Sequence, residues 1–197
     1  MDSNPHLFLF LGPSGVGKST LIKKILQRYP QISYYPSYTT RDPRQGEING
    51  KNYFFISEPE FTKKIKEGLF IEIDKPHNHY YYGISKEPLT SELFKGKSFV
   101  KEVALNGLEV FLKTPLNKYI VSFFLKPYNQ EDIAIRLKER NAPNDIGRMK
   151  LVKREMEYAS SCRHEILIKH NDIDFGINQA VILLQQYLSE NADFQKS

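Results

Sequence analysis

The chain has 197 residues, 40% of them hydrophobic and 26% charged, which suits one globular domain and excludes wholesale disorder. Lys and Arg outnumber Asp and Glu by 28 to 23, so the net charge is +5, yet no basic block stands out, which favours small phosphorylated ligands over nucleic acid. The single cysteine, Cys162, excludes an internal disulfide and a cysteine-ligated zinc site, and neither a basic leader nor an apolar run of membrane-spanning length is present, so a cytoplasmic protein is expected.

In chain order, Leu7-Phe8-Leu9-Phe10-Leu11 is a continuous apolar run of strand length, and Thr20 to Leu26 has helical spacing. Between them, Gly12-Pro13-Ser14-Gly15-Val16-Gly17-Lys18-Ser19 fits G-x-x-x-x-G-K-[ST] at every fixed position. Strand, glycine-rich turn and helix form the setting of a phosphate-binding loop. Its glycines let successive amides point at a polyphosphate, Lys18 supplies a point charge for the β- and γ-phosphates, and the Ser19 hydroxyl suits Mg²⁺. A nucleoside triphosphate with Mg²⁺ is therefore expected here.

Residues 31–85 are rich in Tyr, Phe, Thr, Gly and Pro, which predicts short strands and turns. One helix interrupts them. Ser57-Glu58-Pro59-Glu60 is a capping box, Phe61 and Ile65 share a face, and Gly68 stops the helix. Strands are then expected at 69–73, 98–103, 119–125 and 165–168. Helices are expected at 86–95, 106–113, 130–140, 148–161 and 172–188. This alternation implies an α/β fold, a parallel sheet flanked by helices, packed on one core.

A second motif reads Ser37-Tyr38-Thr39-Thr40-Arg41-Asp42-Pro43-Arg44-Gln45-Gly46-Glu47, then Gly50-Lys51-Asn52-Tyr53-Phe54-Phe55. Arg41 and Arg44 lie three apart around a proline that stiffens the turn, and two guanidinium forks suit the dianionic phosphate of a nucleoside monophosphate. Tyr53 and Tyr82 can add neutral donors, and Glu72, in the apolar run Phe70-Ile71-Glu72-Ile73, needs a partner. Here the chain resembles the guanylate kinases. S-x-T-T-R-x-P-R-x-G-E, G-x-x-Y-x-F and G-P-S-G-x-G-K-S-T are met position by position. The resemblance continues through Tyr81-Tyr82-Gly83 and Asn171-Asp172 and covers essentially the whole chain.

The resemblance implies a P-loop kinase fold in one domain spanning 1–190, with 191–197 a tail. Its core would comprise 5–32, 86–128 and 162–190, with a small mixed β/α monophosphate-binding subdomain at about 33–85 and a helical lid at about 129–161. ATP would sit on Gly12, Pro13, Ser14, Gly15, Val16, Gly17, Lys18, Ser19 and Thr20, with Asn171 near the adenine. Arg41, Arg44, Tyr53 and Tyr82 would hold the acceptor phosphate. Glu72 would accept from guanine N1–H and the amino group, Ser37 would donate to O6, and Glu102 would orient a metal-bound water or touch the acceptor. Arg136 and Arg140, four apart on one helical face, and Arg148 would bring positive charge from the lid. Lys18, Arg41, Arg136 and Arg148 form the expected catalytic set, for in-line transfer from ATP to GMP giving ADP and GDP. The expected partners are those two nucleotides, with no nucleic acid, membrane or obligatory protein partner.

Two positions depart from the family pattern. Ile84 stands where a small hydroxyl residue usually follows Y-Y-G, and Ala104 stands where the second of two acidic residues faces the guanine. Each lost hydrogen bond to a buried base is worth about 1–3 kcal/mol, so guanine selection would weaken by about 10²-fold unless Asn78 or Tyr80 restores a contact. His77 and His79 form H-x-H without a third ligand, which argues against a metal site. Two alternatives stay open: a kinase with another phosphorylated acceptor, such as a ribose bisphosphate, and a non-catalytic module that binds phosphopeptides. The complete phosphate loop favours catalysis.

Overall fold

Leu7–Leu11 forms strand β1, buried along its whole length as a parallel strand covered on both faces must be. The computed structural model to which it belongs describes residues 4–13, 15–75, 79–129, 131–133, 155–169 and 172–193. Helix α1 (Lys18–Arg28) follows, then β2 (Ile32–Tyr34), β3 (Ser37–Thr39) and β4 (Tyr53–Phe55). Helix α2 (Glu58–Lys66) separates these from β5 (Phe70–Asp74) and β6 (Tyr82–Ser85). The remaining elements are α3 (Lys86–Phe94), β7 (Ser98–Glu102), α4 (Leu105–Leu112), β8 (Ile120–Pro127), β9 (His164–Ile168) and α5 (Ile173–Asp193).

Two sheets result. The first has five strands in the order β2-β7-β1-β8-β9, all parallel. The second has the order β4-β3-β6-β5, with β3 parallel to β4 and antiparallel to β6, and β5 antiparallel to β6. A parallel sheet flanked by helices agrees with the fold class read from sequence. On one face of the large sheet, Phe8, Phe10, Phe123 and Leu125 pack under Leu21 and Ile25 of α1 and Ala180 and Leu184 of α5. On the other, Leu7, Leu9 and Phe99 pack under Leu89 and Leu93 of α3 and Phe111 beyond them. The second sheet is held largely by rings: Phe61 of α2 stacks on Phe70 and Tyr81 at 4.6 and 5.2 Å.

The capping box expected at Ser57 forms, with Ser57 Oγ accepting from the Glu60 amide and Glu60 accepting from the Ser57 amide. Two boundaries move notably: Tyr119, expected to open a strand, ends a 3₁₀ turn (Pro115–Tyr119) that Pro115 initiates, and the last helix, expected at 172–188, runs to Asp193, into the expected tail. Of the expected helices at 130–140 and 148–161, residues 131–133 and 155–157 are helical, and Ala159–Ser161 forms a 3₁₀ turn. The rest of both lies outside the described residues.

Gly12, at the end of β1, has φ +138°, and a Cβ there would lie 2.5 Å from the Leu125 carbonyl oxygen of β8. Both the backbone conformation and the close approach demand glycine. Gly12→Ala is expected to cost about 3 kcal/mol of stability through strain and overpacking, read as a lower urea midpoint with an unchanged slope.

Candidate active site

The parallel sheet delivers its functional residues to one edge, because β1 and β7 run the same way and end together. β1 ends at the phosphate loop and β7 ends at Glu102. Gly15 and Gly17 take φ of +85° and +114°, which turns the loop into α1, with Gly17 as its N-cap. Lys18 Nζ donates to the Gly12 and Pro13 carbonyls at 2.6 and 3.1 Å, so the ammonium is folded over its own loop. Ser19 Oγ stands 3.5 Å from Glu102 Oε2, bringing a hydroxyl and a carboxylate to the same point.

Facing this loop is a cluster of positive charge. Arg41 forms a two-pronged pair with Glu47: Nη1 to Oε2 at 3.0 Å and Nη2 to Oε1 at 2.9 Å. Glu47 also accepts from the Arg44 backbone amide at 2.7 Å, which fixes the turn carrying both arginines. The guanidinium lies 5.4 Å from the Tyr53 ring centre and 5.7 Å from that of Phe55. The pairing with Glu47 raises the pKa of Arg41 and lowers that of Glu47, so both stay charged. Arg41 Nε is buried yet has no hydrogen-bond acceptor among the described residues. A buried donor left unpaired is costly, and a phosphate oxygen would satisfy it.

Two adjoining cavities connect these parts. A small one of about 270 Å³ is lined by Lys18, Ser37, Glu72, Ile84, Lys101 and Ala104, among others. A larger one of about 870 Å³ is lined by Ser19, Arg41, Arg44 and Glu47. Tyr53, Tyr82 and Glu102 line both. Burial pushes the Tyr53 pKa up to about 12, with Glu102 and Tyr82 adding to the effect, so its hydroxyl remains a neutral donor. Glu72 is 9% exposed, and a Cβ on Gly107 of α4 would lie 3.1 Å from its Oε1, so the helix backbone closes over the carboxylate. Burial raises the Glu72 pKa to about 7, Asp74 raising it further and Lys101 opposing.

The predicted residues Gly12, Lys18, Ser19, Ser37, Arg41, Arg44, Tyr53, Glu72, Tyr82 and Glu102 thus meet across one cleft. Thr20 is exposed in the first turn of α1. Ser14, Arg136, Arg140, Arg148 and Asn171 lie outside the described residues, as do His77 and Asn78. Tyr80, considered as a replacement contact to the base, is 45% exposed and does not line the small cavity. Ile84 and Ala104 both do, so the two family departures fall on its wall.

Sequence reading missed Lys101, Glu155 and the clamp made by Glu47. Lys101 was detectable as a charge inside a strand that parallel pairing buries on both faces. Glu155 reaches the small cavity from the far end of the chain, where burial raises its pKa and Lys18 opposes the shift; no local pattern signals that approach.

A family model described as guanylate kinase matches residues 4–190. A guanylate kinase of Caldanaerobacter subterraneus subsp. tengcongensis is 34% identical over 186 residues, covering 91% of this chain and 87% of that protein. A guanylate kinase of Helicobacter pylori (strain J99) is 40% identical over 137 residues, covering 70% of this chain and 65% of that protein. The solved guanylate kinase from Anaplasma phagocytophilum superposes with a TM-score of 0.71 at 24% identity, over 97% of this chain and 88% of its own, which is a likeness of fold. With a complete phosphate loop opposite a paired-arginine site and a family match spanning nearly the full length, the chain belongs to the guanylate kinase family.

Proposed function

We propose that this protein transfers the γ-phosphoryl group of ATP to GMP, giving ADP and GDP, with each substrate held by one of the two facing anion sites. The observation that carries this reading is the pair of cavities that share Tyr53, Tyr82 and Glu102 between the phosphate loop and the two arginines. The acceptor phosphate is already ionised near neutral pH, its second pKa being about 6, so the protein's work is positioning and charge neutralisation. Arg41, through Nε and its two outer nitrogens, and Arg44 bind that phosphate, while Tyr53 and Tyr82 donate without adding charge. Glu72 accepts from the guanine N1–H and amino group, and Ser37 donates to O6. Residues 33–85 are assigned as the monophosphate-binding part and 129–161 as the lid. Arg136, Arg140 and Arg148 are assigned to the transferred phosphoryl group and Asn171 to the adenine.

Mg²⁺ entering with ATP fits the oxygen groups at Ser19, since this hard cation takes oxygen ligands and keeps several waters. Ser19 Oγ would hold it, and Glu102 is placed to accept from those waters. Held there, such an ion would supply positive charge to offset that of the polyphosphate. No described helix is long and apolar enough to cross a membrane.

ADP release, followed in a coupled assay over a panel of nucleoside monophosphates, tests the reading; no ADP with GMP would overturn it. Ile84 and Ala104 give the cavity an apolar wall, so discrimination against other purine monophosphates is expected to be weaker by about 10²-fold than a site with both polar groups would reach.

Glu72→Gln is expected to raise the KM for GMP by about 10- to 100-fold, because one face of the amide is a donor where the base also donates. The pH dependence follows from the raised pKa. GMP needs the ionised carboxylate, so kcat/KM for GMP should fall towards tenfold per pH unit below about 7 and level off above it. In Glu72→Gln this acid limb should be lost, leaving only the limb of the substrate phosphate at about pH 6.

A further inference from the structure

Lys101 sits in the middle of the fold with 3% of its surface exposed. Its Nζ donates to the Tyr34 hydroxyl at 3.1 Å and lies 4.6 Å from the Tyr34 ring centre and 5.8 Å from that of Tyr53. No carboxylate of the described residues comes within ion-pair distance, the six pairs found lying elsewhere. The side chain nevertheless lines the small cavity with Glu72 and Glu102, and both carboxylates act on its charge. A buried ammonium is costly where an apolar side chain would pack as well. Aromatic faces and one neutral oxygen offset part of that cost, and two carboxylates acting at a distance offset more.

We propose that Lys101 is a positioning residue for the acceptor: its buried ammonium favours the ionised form of the Glu72 carboxylate in the cavity they share and thereby makes the site select a purine edge with two adjacent N–H donors. This rests on the assignment of Glu72 to the acceptor base. An ionised carboxylate only accepts, which matches guanine N1–H and its amino group. A protonated one presents an O–H beside a C=O, which matches the N1 acceptor and amino donor of adenine. The charge on Lys101 therefore decides which edge fits.

The surrounding groups support a window in which both charges exist. Burial raises Glu72 to about 7 and lowers Lys101 to about 8, with Glu102 and Glu72 opposing the fall of Lys101. Facing Lys101 from β2 and β4 are Tyr34 and Tyr53, both shifted upward by burial and so neutral across this range. Asp74, on the same strand as Glu72, raises the Glu72 pKa, and Lys18 and Glu155 stand at the cavity wall. Below the window Glu72 takes a proton. Above it Lys101 loses one, while Glu72 stays ionised.

The test compares wild type, Lys101→Met and Lys101→Gln, measuring kcat/KM for GMP and for AMP from about pH 6 to about pH 9, with the KM for ATP as control. In both variants the acid limb for GMP should move up by about one unit, so that near pH 7 kcat/KM for GMP falls about fivefold and the preference for GMP over AMP about tenfold. The KM for ATP should stay within about twofold, and raising the pH should restore most of the GMP activity. Gln keeps a polar group for Tyr34, so a merely structural role would be rescued by Lys101→Gln and not by Lys101→Met. An acid limb that stays at the wild-type position, or returns to it in Lys101→Gln, overturns the proposal.

If Glu72→Gln changes neither GMP affinity nor selectivity, the acceptor-site assignment itself fails. If Glu72→Gln abolishes selectivity while the Lys101 variants keep the wild-type profile, only the role of Lys101 fails. Should neither Lys101 variant fold, 13C NMR of the Glu72 carboxyl in the wild-type protein decides: its signal should move a second time as Lys101 discharges near pH 8, and a single-step titration overturns the proposal.

Discussion

Turnover is expected to fall at least about 10³-fold in Lys18→Ala, with a smaller change in the KM for ATP. The split follows from how the loop is built. Gly12, Gly15 and Gly17 take positive φ values that do not depend on Lys18, so a grip made by the loop amides should largely survive. What disappears is the single mobile charge of the loop, which rests on the Gly12 and Pro13 carbonyls and would swing to the β- and γ-phosphates as ATP arrives. Charge on the transferred group develops most in the transition state, so its loss appears in kcat. Single-turnover kinetics at saturating ATP and GMP measure it, and a loss below tenfold would show that another group carries this charge.

Arg41→Ala is expected to raise the KM for GMP about 10²-fold, while the KM for ATP stays nearly constant. Two effects act together. The variant removes the Nε and Nη donors, and it also uncovers Glu47, whose carboxylate is held by Arg41 and the Arg44 amide. An unpaired carboxylate beside the phosphate site repels a dianion. The double variant Arg41→Ala/Glu47→Gln should therefore bind GMP more tightly than Arg41→Ala alone, by about 3- to 10-fold. Equal or additive losses would place the phosphate away from Arg41. Initial-rate measurements with GMP varied at fixed ATP separate these outcomes.

The phosphate loop was legible because it is local: strand, turn, glycines and Lys18 are contiguous, and their chemistry does not depend on distant partners. The arginine turn was legible for the same reason, with Pro43 between Arg41 and Arg44. Most elements followed from patterning, since the central parallel strands are buried on both faces and read as largely apolar runs. Tyr119 was misread because a β-favouring residue was captured by the 3₁₀ turn that Pro115 starts.

Spacing along the chain told which residues could grip phosphate, because each grip is made within a few consecutive positions. Folding chose what surrounds them. Glu72 acquires its raised pKa from α4 closing over it at Gly107, more than thirty positions away. Glu102 meets Ser19 across 83 positions because β1 and β7 pair in parallel and end side by side. Lys101 becomes a buried charge in the small cavity only when Tyr34 and Tyr53 arrive from two different sheets. Burial and Coulomb interaction act through space, so the electrostatics of this site are properties of the assembled sheets and not of any one segment.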